Sequence, residues 1–148
     1  MRSQLPQRED FAHFHRLETR WSDLDMLGHV NNARYFSFDE SARLDYFAPL
    51  ASAPDFWKKE GFILARIGCD FLQQLHHPAV VEVGFRITRI GRSSMDTEGA
   101  MFVGDKLIAV TRGVLVWFDY ASNRAAPVPP HARSFIRGKE KLAPEETA

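Results

Sequence analysis

The order of segments predicts an α+β fold, an antiparallel sheet wrapped around one long helix. Three observations carry this. Residues 33–48 repeat apolar side chains at helical spacing and are apolar over much of the resulting surface. Four later segments are rich in β-branched and aromatic residues, and two of the breaks between them have hairpin length and chemistry. A helix with so much apolar surface must be largely surrounded, and a sheet folded around it is the simplest way.

Along the chain, residues 1–10 are polar and are expected to form a flexible tail. Phe11–Trp21 reads as a strand, with His15, Leu17, Thr19 and Trp21 on one face. Ser22–Asn32 is turn-like, and Asn31 and Asn32 supply side chains suited to capping a helix. In the helix Tyr35, Phe38, Ala42 and Tyr46 recur at spacings of three and four, while Arg43 is spaced to meet Asp39 or Glu40. Pro49 is expected to stop it at Phe47 or Ala48. A short helical turn is expected over Asp55–Glu60, behind Pro54 and closed by Gly61. The four strands are Phe62–Gln73, Ala79–Ile90, Ser94–Val103 and Lys106–Tyr120, broken at His77-Pro78, Gly91-Arg92-Ser93 and Gly104-Asp105. A proline-rich stretch leads to a short helix, His131–Arg137, and the charged tail, 138–148, is expected to be flexible. With no repeat or internal linker, residues 11–137 form one domain.

Composition excludes several classes. Twelve Phe, three Trp and three Tyr are too many aromatics for a disordered chain. The longest apolar run, Val114–Phe118, is far short of the roughly 20 residues a bilayer needs, so no membrane association is expected. The first ten residues lack the apolar core of a secretory leader. A single cysteine, Cys69, permits no internal disulfide, and a cytoplasmic location is expected. Nineteen basic and nineteen acidic residues balance, which argues against nucleic-acid binding.

The densest polar cluster is Asp23, Asp25, His29, Asn31 and Asn32, at the strand-to-helix junction. Two readings compete. In one, the residues cap the helix and stabilise its positive end in the ordinary way. In the other, the free N–H groups hold a developing oxyanion while a carboxylate attacks an acyl carbon or activates water.

The run RWSDLDMLGHVNNARYFSFDESAR adds a resemblance. It is similar to the signature of the hot-dog-fold acyl thioesterases: the 4-hydroxybenzoyl-CoA type, the bacterial long-chain acyl-CoA type and, more distantly, the plant acyl-ACP enzymes. The matching positions are Asp23, Asp25, Gly28-His29-Val30-Asn31-Asn32, Tyr35, Glu40 and Arg43. The resemblance implies a hot-dog fold and hydrolysis of an acyl-CoA thioester. Asp25 matches the catalytic carboxylate, and the Asn32 N–H matches the oxyanion donor. His29 matches the histidine that follows the catalytic Asp. Asp23, Asn31 and Tyr35 are then expected at the substrate, and Arg92 at the CoA phosphates. The acyl-ACP branch has an Asn midway between its Asp and His, where this chain has Leu27. The resemblance further implies a homodimer or a dimer of dimers with sites between subunits, and no metal or other cofactor. The Asp25-to-His29 spacing and the absence of Asn-Pro disfavour the hydratases of this fold, and the proline-free FAHFHR run disfavours its dehydratases. The alternative is a non-catalytic acyl-CoA or fatty-acid binding module.

Other candidates have plainer readings. His13 and His15 share a strand face without an evident third metal ligand, His76-His77-Pro78 reads as a loop with an active-site rim as its alternative, and Cys69 reads as a small buried side chain without an activating partner.

Overall fold

In the computed structural model, which describes residues 4–147, the first strand is β1 (His13–Glu18) and the long helix is α1 (Asn32–Ala51). There follow β2 (Glu60–Phe71), β3 (Val80–Ile90), β4 (Ser94–Val103) and β5 (Lys106–Asp119). The chain finishes with β6 (Arg124–Ala125), α2 (Pro130–Lys139) and β7 (Glu145–Glu146). The five main strands run in the order β1-β3-β4-β5-β2, each antiparallel to its neighbour, and this sheet curls around α1. This is the expected hot-dog fold. Among the described residues, no helix is long and apolar enough to cross a membrane.

Strand alternation builds the core. Val81, Val83, Phe85 and Ile87 of β3, Met95 and Met101 of β4, and Leu115 and Trp117 of β5 turn toward the helix. The helix answers with Tyr35, Phe38, Ala42, Tyr46 and Phe47. Its one buried carboxylate, Asp39, accepts a hydrogen bond from Thr111 Oγ1 at 2.6 Å and pairs with Arg43 at 3.1 Å. A side chain at Gly99 would place its Cβ 2.7 Å from Asp39 Oδ1, so the glycine makes room for that carboxylate. Burial pushes the Asp39 carboxyl up, against the Thr111 hydrogen bond and the Arg43 charge.

Several boundaries differ from expectation. The helix passes through Pro49 to Ala51, because Leu50 and Ala51 pack against the core. A proline in the last turn forfeits only one helix bond. Behind Pro54, Lys58 N and Lys59 N both donate to Asp55 O, but Trp57 has φ 69° and no helix forms. The first strand ends at Glu18, and Trp21, expected within it on the face of His15, Leu17 and Thr19, is 82% exposed at the start of a 3₁₀ turn.

Defined contacts continue toward both ends of the described chain. Phe11 is buried on the outer sheet face above Gly84, where an added Cβ would lie 2.7 Å from Phe11 Cγ. The Arg8 guanidinium stacks on Phe102 at 4.6 Å and donates to Gly104 O at 2.6 Å. At the other end α2 buries Ala132 and Ile136, and β7 pairs with β3. Glu140 Oε2 accepts from Tyr46 Oη at 2.6 Å and from Ile87 N at 2.9 Å. Composition marks residues 1–10 and 138–148 as polar, but Arg8 and Glu140 each find partners that only the fold supplies.

Candidate active site

The site is built where the chain turns from β1 into α1. Asp23 is fully buried and organises the turn: its carboxylate accepts from Arg20 N at 2.8 Å and Arg20 Nη2 at 2.9 Å, with Arg34 Nε at 3.6 Å. Burial raises its pKa, but the Arg20 hydrogen bonds and the Arg20 and Arg34 charges outweigh it and hold the carboxyl below the usual range. Its main-chain oxygen also takes the Asn31 N–H at 2.8 Å.

The following loop is closed by a Leu24–Val30 bridge. Asp25 N donates to His29 O at 3.0 Å and Gly28 N to Asp25 O at 3.1 Å, with Gly28 at φ 79°. Asp25 Oδ1 accepts from Leu27 N at 2.9 Å. Asn31 caps α1 by accepting from Ala33 N at 2.9 Å, and Arg34 N bonds to Asn31 O. As the first helical residue, Asn32 keeps an N–H with no intrahelical acceptor, at the positive end of the dipole.

The opposite wall is the segment leaving β2. Val30 N donates to Leu75 O at 2.8 Å, tying the two walls together. Between them lies a cleft of about 380 Å³, lined by Asp25, Leu27, His29, Asn31, Asn32 and Tyr35 on one side and Phe71 to Leu75 on the other. Tyr35 is buried edge-on to Phe71, centroids 4.9 Å apart, and burial pushes its hydroxyl pKa up. His29 meets His76 edge-to-face at 5.0 Å. The arrangement presents a carboxylate, an unpaired N–H and an aromatic floor to one bound group, which suits attack on an acyl carbon.

The structure therefore brings Asp25, His29, Asn31, Asn32 and Tyr35 into one cleft, and leaves two expected residues outside it. Asp23 faces away, into the Arg20 and Arg34 pairing. Arg92 sits in the β3–β4 turn, on the order of 30 Å along β3 from the cleft end of the strand. Phe71, Gln73 and Gln74 line the cleft with no signal of it in the sequence, while the His-His-Pro run, which reads as a loop with an active-site rim as its alternative, brings His76 against His29. A larger concavity, about 540 Å³, lies on the outer sheet face, but it has no helix N-terminus and most of its charges pair with one another. His13 Nε2 and His15 Nδ1 both approach Asp45 Oδ2, at 3.1 and 3.4 Å. Among the described residues no group of three or more His, Cys, Asp or Glu is placed to hold a metal ion. Burial, with the Asp39 and Asp70 charges, pushes the Cys69 thiol up to about 11, as befits a packing residue.

The family model of the thioesterase-like superfamily matches residues 19–136. The chain belongs to this superfamily. A thioesterase from Thermus thermophilus, solved with coenzyme A and Zn, is 37% identical, with TM-score 0.80 over 90% of this chain and 98% of that one. The PA5185 protein of Pseudomonas aeruginosa PAO1 is 29% identical, with TM-score 0.82 over 93% of this chain and 98% of that one. A 1,4-dihydroxy-2-naphthoyl-CoA thioesterase from Synechocystis, at 16% identity and TM-score 0.75 over 84% and 94% of the two chains, shares the fold. The uncharacterized protein YsmA of Bacillus subtilis (strain 168) is 28% identical over 88 residues, a match spanning 60% of this chain and 59% of that relative. This member of the thioesterase-like superfamily is a thioester hydrolase.

Proposed function

We propose that the chain hydrolyses acyl-CoA thioesters, with Asp25 as the working carboxylate and the Asn32 N–H as the oxyanion donor. One observation carries this reading: both groups line the same cleft, at the N-terminus of α1. The coenzyme A bound by the 37%-identical Thermus relative supports CoA as the thiol.

The carbonyl oxygen of the thioester accepts from Asn32 N, and the helix dipole favours the charge that develops there. Along one route Asp25 attacks the carbonyl carbon, the C–S bond breaks, and the thiolate leaves and takes up a proton. Water then cleaves the resulting mixed anhydride. Along the other, Asp25 takes a proton from water as that water attacks, and collapse expels the same thiolate. A single turnover in ¹⁸O-water that leaves label in the Asp25 carboxylate identifies the first route, because only the anhydride lets water attack the aspartyl carbon. His29 holds the Asp25 N–H through its main-chain oxygen. Tyr35 and Asn31 face the acyl group.

The proposal includes a homodimer, doubled or not to a tetramer, acting in the cytoplasm. β2 is a long free edge, with Ile63, Leu64 and Phe71, and Leu72 just beyond its end, all 40–42% exposed. Such an edge is an aggregation hazard unless paired. Phe71 and Leu72 also line the cleft, so a neighbour along β2 closes its open side. In an antiparallel pair the β3–β4 turn of one subunit lies at the end where the other keeps its helix N-terminus. Arg92 is accordingly assigned to the partner's CoA.

The test is a panel of acyl-CoA substrates of several chain lengths plus an aryl-CoA, followed by thiol release. Turnover of at least one of them, abolished in Asp25→Asn, is expected. Acyl-CoA binding without turnover across the panel overturns the proposal.

A further inference from the structure

The outer face of the sheet carries a line of alternating charges that stops at the free edge. Arg86 of β3 donates two hydrogen bonds to Glu98 of β4, at 2.6 and 3.0 Å. Arg112 of β5 lies 3.3 Å from Glu98 and 3.6 Å from Asp70 of β2. The order across four strands is thus plus, minus, plus, minus. On β2 one further charge shares this face, Arg66, which alternates with the inward-facing Ile67. Arg66 is exposed and makes no ion pair among the described residues. It cannot reach Asp70 on its own strand, since four residues of strand span roughly 13 Å.

We infer that Arg66 and Asp70 set the register of the dimer, with two β2 strands pairing antiparallel about Gly68. The inference rests on the homodimer proposed above and adds its alignment. Directly opposed residues in an antiparallel pair share a sheet face, so a two-fold axis normal to the sheet must pass through a residue pair. Centres at Arg66 or Asp70 set like charges directly opposite, which is destabilising. Centres at Ile67 or Cys69 set one of the two charges opposite Gly68 and leave it unmatched. The Gly68 centre alone sets Arg66 opposite the partner subunit's Asp70, and Asp70 opposite the partner subunit's Arg66. Each line of charges then ends on the partner subunit's Arg66, in the order plus, minus, plus, minus, plus, with no like-charge neighbours.

Cysteine cross-linking tests the register directly. Opposed residues in an antiparallel pair have Cα atoms about 4.5–5.5 Å apart, within disulfide reach. Gly68 accepts a side chain, the nearest atom to an added Cβ being Arg112 O at 3.9 Å. In a Cys69→Ser background, Gly68→Cys should form an interchain disulfide under mild oxidation, as should the double variant Arg66→Cys/Asp70→Cys. Ile67→Cys, Arg66→Cys and Asp70→Cys alone should not. Separately, Arg66→Asp should raise the dimer dissociation constant about tenfold, from two lost pairs and two new repulsions. Arg66→Asp/Asp70→Arg should restore it.

A dimer that cross-links preferentially through Ile67→Cys, through native Cys69, or through Arg66→Cys or Asp70→Cys alone overturns the register while leaving the dimer standing. Failure of the double charge swap to restore association does the same. A monomer by sedimentation at micromolar concentration overturns the dimer and the register together.

Discussion

The imidazole of His29 stands edge-on to that of His76, with centroids 5.0 Å apart and planes inclined by 75°. This contact joins the loop that carries Asp25 to the loop that leaves β2, so each ring holds the other side of the cleft in place. His29→Gln should lower kcat/KM by about tenfold or less, because a general base in this role contributes about 10²–10⁴-fold. His76→Phe keeps an edge-to-face partner and should retain near-normal kcat/KM, whereas His76→Ala should match the His29 variant. A loss in the general-base range in His29→Gln, with an unchanged fold, would make His29 a direct proton carrier.

The two aspartates of the signature should separate cleanly. Asp25→Asn keeps size but removes the charge, and kcat should fall by at least about 10³-fold with acyl-CoA binding retained. Asp23→Ala leaves the Arg20 N–H without its acceptor and should cost about 1–3 kcal/mol of stability. Its kcat should fall far less than that of Asp25→Asn. Urea denaturation and saturating-substrate kinetics on both proteins check the pair.

Stability should fall on mild acidification, through His13. Burial, and next the nearby Lys139 charge, hold this imidazole below its ordinary 6.5, and Asp45 only partly compensates. The folded state therefore keeps it neutral while the unfolded chain takes up a proton as pH drops through 6.5. Its contribution is full above that value and is lost as pH falls toward the depressed folded value. The melting temperature should drop between about pH 7.5 and 5.5. His13→Phe, which can pack on Tyr46 as the imidazole does, should flatten that drop.

Glu140 should matter for folding and not for turnover. Removing its carboxylate strands the Tyr46 hydroxyl and the Ile87 N–H in the interior. Glu140→Ala should cost about 1–3 kcal/mol, read as a lower urea midpoint, while kcat of the folded protein stays unchanged. A change in kcat without a change in midpoint would contradict this.

What was legible in the sequence was local. The periodicity of α1 and the breakers between strands follow from contacts within a few residues, and so does the run that places Asp25, His29, Asn31, Asn32 and Tyr35 around one helix start. Phe71 and His76 reach the same cleft only because β2 and its exit loop are carried there by the sheet. Asp23 reads like Asp25 until its burial against Arg20 is seen. Pro49 marks an end on propensity alone, but packing of Leu50 and Ala51 prevails. Arg92 is separated from the site by the length of a strand, a distance no local pattern expresses.

The seating of Phe11 on Gly84 binds two distant positions into one unit of change. A methyl at position 84 collides with the ring at 2.7 Å, so Gly84→Ala should be tolerated only after the ring is cut back, as in Phe11→Leu. Among diverging relatives the two positions should drift together: where one gains bulk the other should shed it, and a sequence large at both should have peeled its N-terminal segment from the sheet.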